Sequence, residues 1–255
     1  MKPIRRLFIT GASTGLGQGL ADHYARAGAH LGLVARRESL LRELEKEWTA
    51  RGARVEVYAG DVADTDFMAR SAQAFAAAAG GVDLVFANAG VAIENRVMEG
   101  DAREIASLMN INVVGVTNTV VPFVPQMVKQ GSGVLCAVGS MAGHSPLPGR
   151  AAYSASKACV TTFMSALRME LHGTGVHAMV VCPGYVDTAL TKGQKGMMFV
   201  IDVPRAVEYM VGAIESRKRT YSFPWQMNAL KEVMTRAPES VIRRLAPPPR
   251  TRSSG

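Results

Sequence analysis

The feature that most constrains this chain is a regular alternation of short β-branched apolar runs with helical patterns. Ile4–Thr10, His30–Ala35, Arg54–Ala59, Val82–Ala87, Gly133–Gly139, Val176–Val181 and Thr220–Phe223 read as strands, several of them apolar throughout. Strands that lack polar alternation fit a parallel sheet buried on both faces. Between them, Leu16–Ala27, Glu38–Ala50, Asp64–Ala79, Ala102–Lys129, Ala151–His172 and Pro204–Ser216 read as helices. Alternation of this length predicts right-handed βαβ units and an α/β class.

The 255 residues suit a single domain of 27.2 kDa, and 48% hydrophobic with 20% charged residues is globular composition. The expectation is one doubly wound Rossmann-type domain over residues 1–224, its seven-stranded, mainly parallel sheet flanked by helices on both faces. A helical extension is expected over 225–246, where Leu230, Val233, Met234, Ala237, Val241 and Leu245 keep helical spacing around Pro238. Residues 247–255 are expected to be a disordered basic tail.

Net charge is +8, and nine Lys/Arg against two Glu from Ser216 onward place +7 of it at the carboxyl end. A nucleic-acid protein would carry a basic face with stacking aromatics on its main domain, and aromatics are 6% and scattered. Nucleic acid is therefore excluded as a partner. For the extension, packing on the domain or a sister subunit is favoured over a basic amphipathic surface on anionic lipid, because its apolar stripe is short and broken. The longest apolar stretch, Val113 to Val128, holds Asn118, Pro122, Pro125 and Gln126 and is too interrupted to cross a membrane. MKPIRR is followed by too few apolar residues for a secretory signal. Cys136, Cys159 and Cys182 match no disulfide framework or zinc spacing, so a cytoplasmic location is expected.

Ten residues in, the first strand runs into Thr10-Gly11-Ala12-Ser13-Thr14-Gly15-Leu16-Gly17. Glycine allows a tight turn and close backbone approach, and the helix that follows offers free N–H groups to a pyrophosphate. The same residues spell G-x-S-x-G, a hydrolase nucleophile elbow. A hydrolase needs strands before its elbow, and that reading fails on topology. The second strand ends Val34-Ala35-Arg36-Arg37, where an NAD site would carry an acid. Two guanidiniums there suit a 2′-phosphate, so the expected cofactor is NADP(H).

Tyr153 and Lys157 stand at i and i+4, stacked on one helix face. A neighbouring ammonium lowers the phenol's pKa and fits it for general-acid work on a carbonyl. Ser140, at a strand's carboxyl end thirteen residues before Tyr153, is placed to hydrogen-bond the carbonyl. Asp61-Val62 and Asn88-Ala89-Gly90 end the third and fourth strands, Asn112 lies in the next long helix, and Pro183-Gly184 through Thr188 follows the sixth. His144, four residues past Ser140, reads as packing or surface.

With these motifs in place, residues from about Ile4 to about Phe223 resemble the classical short-chain dehydrogenase/reductase family, NADP-preferring type. The resemblance implies that Tyr153 protonates the carbonyl, Lys157 binds the nicotinamide ribose and depresses the tyrosine pKa, and Ser140 orients the substrate. It implies that Asn112 holds a water linking Lys157 to solvent. Gly11, Ser13, Gly15, Leu16 and Gly17 would shape the dinucleotide site, Arg36 and Arg37 match NADP-preferring members, and Asp61 and Val62 would flank the adenine. Asn88 would support the ribose region within an Asn-x-Gly core closed by Gly90, and Thr188 after Pro183-Gly184 would meet the carboxamide. Taken singly, Asn112 could equally cap or bridge within its helix, Asp61 could cap the helix after it, and Thr188 could be an N-cap.

The implied activity is NADPH-dependent reduction of a ketone or aldehyde, reversible toward the secondary alcohol, in a homodimer or homotetramer. The segment from Tyr185 to Val203 would be a substrate lid. Its flexible Lys192–Gly196 stretch and apolar Met197-Met198-Phe199-Val200 suit a lipophilic substrate. The alternative is a non-catalytic NADP(H)-binding regulator on the same fold. Intact Ser140, Tyr153, Lys157 and Asn112 favour the enzyme, since a binding protein has no need of a tuned proton donor.

Overall fold

The computed structural model describes residues 3–92, 97, 101–144, 149–192, 196–227, 229, 236, 238 and 240. Seven strands, β1 (Arg6–Thr10), β2 (His30–Ala35), β3 (Arg54–Ala59), β4 (Leu84–Ala87), β5 (Gly133–Val138), β6 (Val176–Pro183) and β7 (Thr220–Phe223), form one sheet in the order β3-β2-β1-β4-β5-β6-β7. Every neighbouring pair is parallel. Each strand lies within two residues of its sequence-expected bounds.

Helices α1 (Gly15–Ala25), α2 (Glu38–Ala50) and α8 (Val203–Glu215) cover one face. There Leu20, Leu41, Trp48, Met210 and Ile214 bury Leu7, Ile9, Leu31 and Leu33. The other face carries α3 (Thr65–Ala79), the run α4 (Ala102–Met109), α5 (Gly115–Val120) and α6 (Val124–Gln130), and α7 (Ala151–Glu170). Here Phe75, Val116, Phe123 and Met164 meet Phe8, Val85, Leu135 and Val180. Leu7 and Ile9 point one way and Phe8 the other, as the period of two requires. Gly32 in β2 has a packing reason: a Cβ there would stand 2.7 Å from Phe75 and 2.8 Å from Phe8.

Ala102–Gln130 is a continuous helical run of 29 residues containing an apolar window long enough to cross a bilayer by length and composition, contrary to expectation. It is laid on the sheet instead, with Leu108, Val116, Val120, Phe123 and Met127 in the core. A 3-10 turn at Val121–Phe123 takes up Pro122 before α6 starts, and a π turn at Asn110–Val114 separates α4 from α5. The expected extension residues Leu230, Val233, Met234, Ala237, Val241 and Leu245, and the tail 247–255, lie outside the described residues.

The chain leaves β3 and crosses back to lay β4 beside β1, which makes the gap between their carboxyl ends the switch point of the sheet. At the opposite end, Asp83 clasps the two strands. It accepts from the Arg5 and Arg6 backbone N–H groups (3.0 and 2.9 Å) and from the Arg6 guanidinium (2.6 and 3.2 Å). Burial alone would raise the Asp83 pKa, but the Arg6 side chain and these backbone donors outweigh it and hold the carboxyl below its ordinary value. A depressed carboxylate stabilises the fold above its unfolded pKa and loses that contribution as pH falls through the folded one. Asp83→Asn is expected to cost about 1–3 kcal/mol at neutral pH. In urea titrations the gap from wild type should close below about pH 4.

Candidate active site

Gly11 follows β1 at φ 65° and Gly15 opens α1 at φ 61°, backbone conformations that a side chain strains. A Cβ on Gly11 would sit 2.7 Å from Asn88 Nδ2, and one on Gly17 would overlap Gly11 O. The turn is thus as tight as its glycines suggest, and Leu16 packs its side chain on the α1 face of the core. Thr14 caps α1 without a side-chain hydrogen bond, and no acid occupies the first turn. The amino end of α1 therefore keeps its donors and positive dipole for an anion.

Arg37 at the end of β2 reaches across this turn, donating from Nη2 to Ser13 Oγ (3.1 Å) and Thr14 Oγ1 (3.3 Å). Arg36 is exposed beside it. Asp61 accepts from Ala63 N (2.9 Å), while Asp64 makes the cap of α3, so Asp61 is not that cap. Val62 is buried against Gly115, and its carbonyl accepts from Asn118 Nδ2 (2.9 Å).

Asn88 donates through Nδ2 to Thr10 O and Gly11 O (both 3.1 Å), while Asn88 N and Ala89 N donate to Thr10 Oγ1 (3.2 and 3.3 Å). Its amide holds the glycine turn in place, and Thr10 is a contributor the sequence reading missed. Asn112 is fully buried in the π turn, accepts from Val91 N (2.8 Å), and donates to Val91 O (3.0 Å) and Ser156 Oγ (3.1 Å). These bonds run outside its own helix, and Asn112 fastens the loop after β4 to α7. A Cβ on Gly90 would lie 3.1 Å from Asn112 Oδ1 and 3.6 Å from Lys157 Nζ, so Gly90 keeps the space between them open.

Ser140 leaves β5 in extended conformation, accepts from Ala142 N (3.2 Å), and is hydrogen-bonded to Tyr153. Gly143 lets this turn press on α7, where a Cβ would meet the Lys157 backbone at 2.8 Å. Tyr153 lies in the first turn of α7 and Lys157 one turn on, its Nζ 5.9 Å from the phenol ring centre. Lys157 is 5% exposed, and its amine donates to Val138 O (2.8 Å). That leaves further N–H bonds for a ligand. Burial brings its ammonium down to about 8.

The phenol differs from expectation. Burial pushes the Tyr153 pKa up; the Ser140 hydrogen bond and the Arg150 charge pull against it, and Cys182 and Tyr185 add to the rise. Burial of the phenol, and not the Lys157 amine 5.9 Å from the ring centre, sets the direction of this shift. Arg150 was overlooked in the sequence, although its spacing of three residues before Tyr153 was a signal. His144 is half-buried, its Nε2 3.8 Å from Cys182 Sγ.

Pro183 ends β6, and Gly184 N donates to Phe223 O (2.7 Å). The segment that follows is pinned at its ends by Asp187 N to Ile201 O (2.9 Å) and Ile201 N to Tyr185 O (3.1 Å). Thr188 is not a helix cap; Asp202 caps α8. Thr188 instead faces the glycine turn, its Cγ2 3.4 Å from where a Gly15 Cβ would be. Gly193, Gln194 and Lys195 of the lid lie outside the described residues.

A glycine turn at the switch point of a parallel sheet marks the dinucleotide-binding enzymes. Within that class, residues 5–198 match the family model for short chain dehydrogenase, and the chain belongs to this family of oxidoreductases. It is 40% identical over 224 residues to an uncharacterized oxidoreductase of Myxococcus xanthus, covering 88% of each chain. It is 31% identical to the ketoacyl reductase HetN of Nostoc, covering 84% of this chain and 76% of that one. A short-chain dehydrogenase/reductase from Burkholderia phymatum in complex with NAD shares the fold at TM-score 0.84 and 23% identity, covering 98% of this chain and 99% of that one. One from Sphingobium yanoikuyae in complex with NADPH does so at 0.78 and 25%, covering 93% and 98%.

The role of Asn112 is directly measurable. Asn112→Ala would strand the N–H and C=O of Val91, and is expected to lower the unfolding free energy by about 2–4 kcal/mol in urea titration.

Proposed function

We propose that this chain is an NADP(H)-dependent reductase of ketones or aldehydes, reversible toward the secondary alcohol. The observation carrying the reading is that Ser140, Tyr153 and Lys157 meet at the carboxyl end of β5, beside the glycine crevice. The crevice suits a dinucleotide: Gly11 and Gly17 admit close backbone approach, the α1 amino end would offer its N–H groups to a pyrophosphate, and Lys157 has N–H bonds to give to ribose hydroxyls. When bound, the dinucleotide supplies the hydride.

The residues of this chain do the rest. Ser140 donates to the substrate carbonyl and holds it against Tyr153. The phenol O–H bond breaks, its proton passes to the carbonyl oxygen, and the electron pair stays on Tyr153. A phenol pKa held above the ordinary tyrosine value keeps the donor protonated throughout neutral pH.

Two relatives of the same fold hold different dinucleotides, so the choice rests on this chain's Arg36 and Arg37. Arg37 already presents its guanidinium beside Ser13 and Thr14, a cluster suited to a phosphate. Leu190, Met198, Phe199 and Val200 of the lid are 44–50% exposed and favour a lipophilic substrate. A second copy of the chain would cover Val114, Val121 and Val128, exposed seven residues apart along one helical run, giving a homodimer or higher homo-oligomer. The proposed compartment is the cytoplasm.

With a panel of ketones and aldehydes, NADPH absorbance should fall for wild type. Tyr153→Phe should lose about 10²–10⁴-fold in rate. No turnover by wild type despite tight NADPH binding would sink the enzyme reading in favour of a regulator. Arg37→Gln is expected to weaken NADPH binding about 10–100-fold in calorimetry while leaving NADH nearly unchanged. Equal losses for both cofactors would remove the NADP preference.

A further inference from the structure

Five helices of this chain leave through a glycine at positive φ: Gly28 after α1, Gly52 after α2, Gly80 after α3, Gly131 after α6 and Gly173 after α7. Helix α8 differs, because Arg217 takes that position at φ 49°. Arg217 N donates to Ile214 O (3.1 Å) and Lys218 N to Ala213 O (3.0 Å), the paired closure in which glycine is the usual residue. A Cβ strains this conformation, and strain of this kind points to a residue kept for something other than the fold.

The turn leads into β7 with three consecutive exposed cations, Arg217, Lys218 and Arg219. Two further groups are fixed against its backbone. His177, near the amino end of β6, is half-buried and donates from Nε2 to Lys218 O (3.3 Å). Arg168, in the last turn of α7, donates from Nη1 to Arg219 O (3.2 Å) and Ala178 O (3.4 Å). The imidazole and the guanidinium thus sit on adjacent carbonyls. Among the described residues none of these four cations forms an ion pair, although Glu170 and Glu215 stand two residues from Arg168 and Arg217. Elsewhere Arg26, Arg42 and Arg51 pair with Asp22, Glu38 and Glu47. The other neighbouring cations left without a carboxylate are Arg36 and Arg37, at the proposed position of a cofactor phosphate.

We propose that this corner is a second anion site, which takes a phosphate-bearing ligand through Arg168, Arg217, Lys218 and Arg219 beside His177. Arg168 commits only Nη1 to carbonyls, so Nε and Nη2 remain for an oxyanion. Four cations with no carboxylate to displace suit a group that carries about two negative charges, as a phosphate monoester does. His177 and Pro183 are six residues apart on β6, about 20 Å. The site therefore lies at the opposite end of the sheet from Tyr153 and the glycine crevice, and the inference stands apart from the reductase reading.

His177 reports on occupancy. Burial first, and then the charges of Arg217 from the turn and Arg168 from α7, hold its pKa below the ordinary value against the pull of the Lys218 carbonyl. A bound dianion offsets those charges and raises the midpoint.

The test follows the imidazole resonances of the five histidines in the full chain by proton NMR, with His177 assigned by its loss in His177→Gln. Inorganic phosphate, added at constant ionic strength, is expected to move the His177 signal saturably and to raise its midpoint by about 1 pH unit. Phosphate held at the glycine crevice, at the far end of the sheet, leaves this signal still. Arg217→Gly should bind phosphate about tenfold more weakly. Glycine suits φ 49°, so this variant should need no less urea to unfold than wild type, and its weaker binding cannot come from a damaged fold. Sedimentation with phosphatidylcholine vesicles containing phosphatidic acid, absent with phosphatidylcholine alone and lost in Arg217→Gly, would assign the phosphate to a lipid headgroup. A saturable response to phosphate without sedimentation would assign it to a soluble phosphoester. A His177 signal that phosphate does not move, or equal affinity in Arg217→Gly, would overturn the proposal.

Discussion

The whole site hangs on the junction where β1 and β4 leave the sheet side by side. Two parallel strands that are far apart in sequence must deliver a glycine turn and an Asn-x-Gly turn to the same crevice. Thr10 and Asn88 exchange four hydrogen bonds there, counting those to Gly11 O and from Ala89 N, and these fix the spacing of the two exits. Glycine at positions 11 and 17 follows from that contact, since any side chain would strike the partner turn. Asp83 sets the same two strands in register from the far end. The crevice is thereby a property of the sheet and not of flexible loops, which is what a site needing ångström-level placement requires.

The second constraint is burial at the catalytic end. Lys157 is held in the interior by one backbone acceptor, and the phenol beside it is desolvated. Desolvation works against both charged forms at once, so the lysine drifts toward neutrality and the tyrosine toward staying protonated. A proton donor for carbonyl reduction is well served by that bias. The reverse reaction needs the anion, and there the surrounding positive groups decide how readily it forms.

Much of this was legible in the chain itself. Strand and helix bounds agree to within two residues, because uninterrupted apolar strands and amphipathic helices of ordinary length leave few alternatives. The glycine turn, Arg37, Ser140, Tyr153 and Lys157 were found at strand ends and on one helix face, where local spacing is informative. What stayed hidden depends on contacts between distant segments. Asn112 looked like any helical asparagine until the π turn aimed it at Val91 and Ser156. Thr10 gave no sign of anchoring Asn88, 78 residues away. The direction of the phenol pKa turns on burial, which the Tyr–Lys spacing does not encode. The long apolar helix shows the converse: composition permits a bilayer, and only the sheet beneath it reveals that Leu108, Val116, Val120, Phe123 and Met127 are already covered.

The neck of the lid has a consequence for how such an enzyme changes over evolutionary time. The chain between Asp187 and Ile201 is joined at its two ends by the Tyr185–Ile201 and Asp187–Ile201 hydrogen bonds. Lengthening a closed loop costs only the logarithm of its size, so doubling it adds about 0.6 kcal/mol. Insertions and deletions between these hinges leave the sheet, the crevice and the proton donor where they are. Under the proposed reading of this segment as a substrate lid, the fold thus separates a reaction core from a pocket roof of adjustable length. Substrate range can drift by roof length alone, within a stability margin that a typical domain possesses.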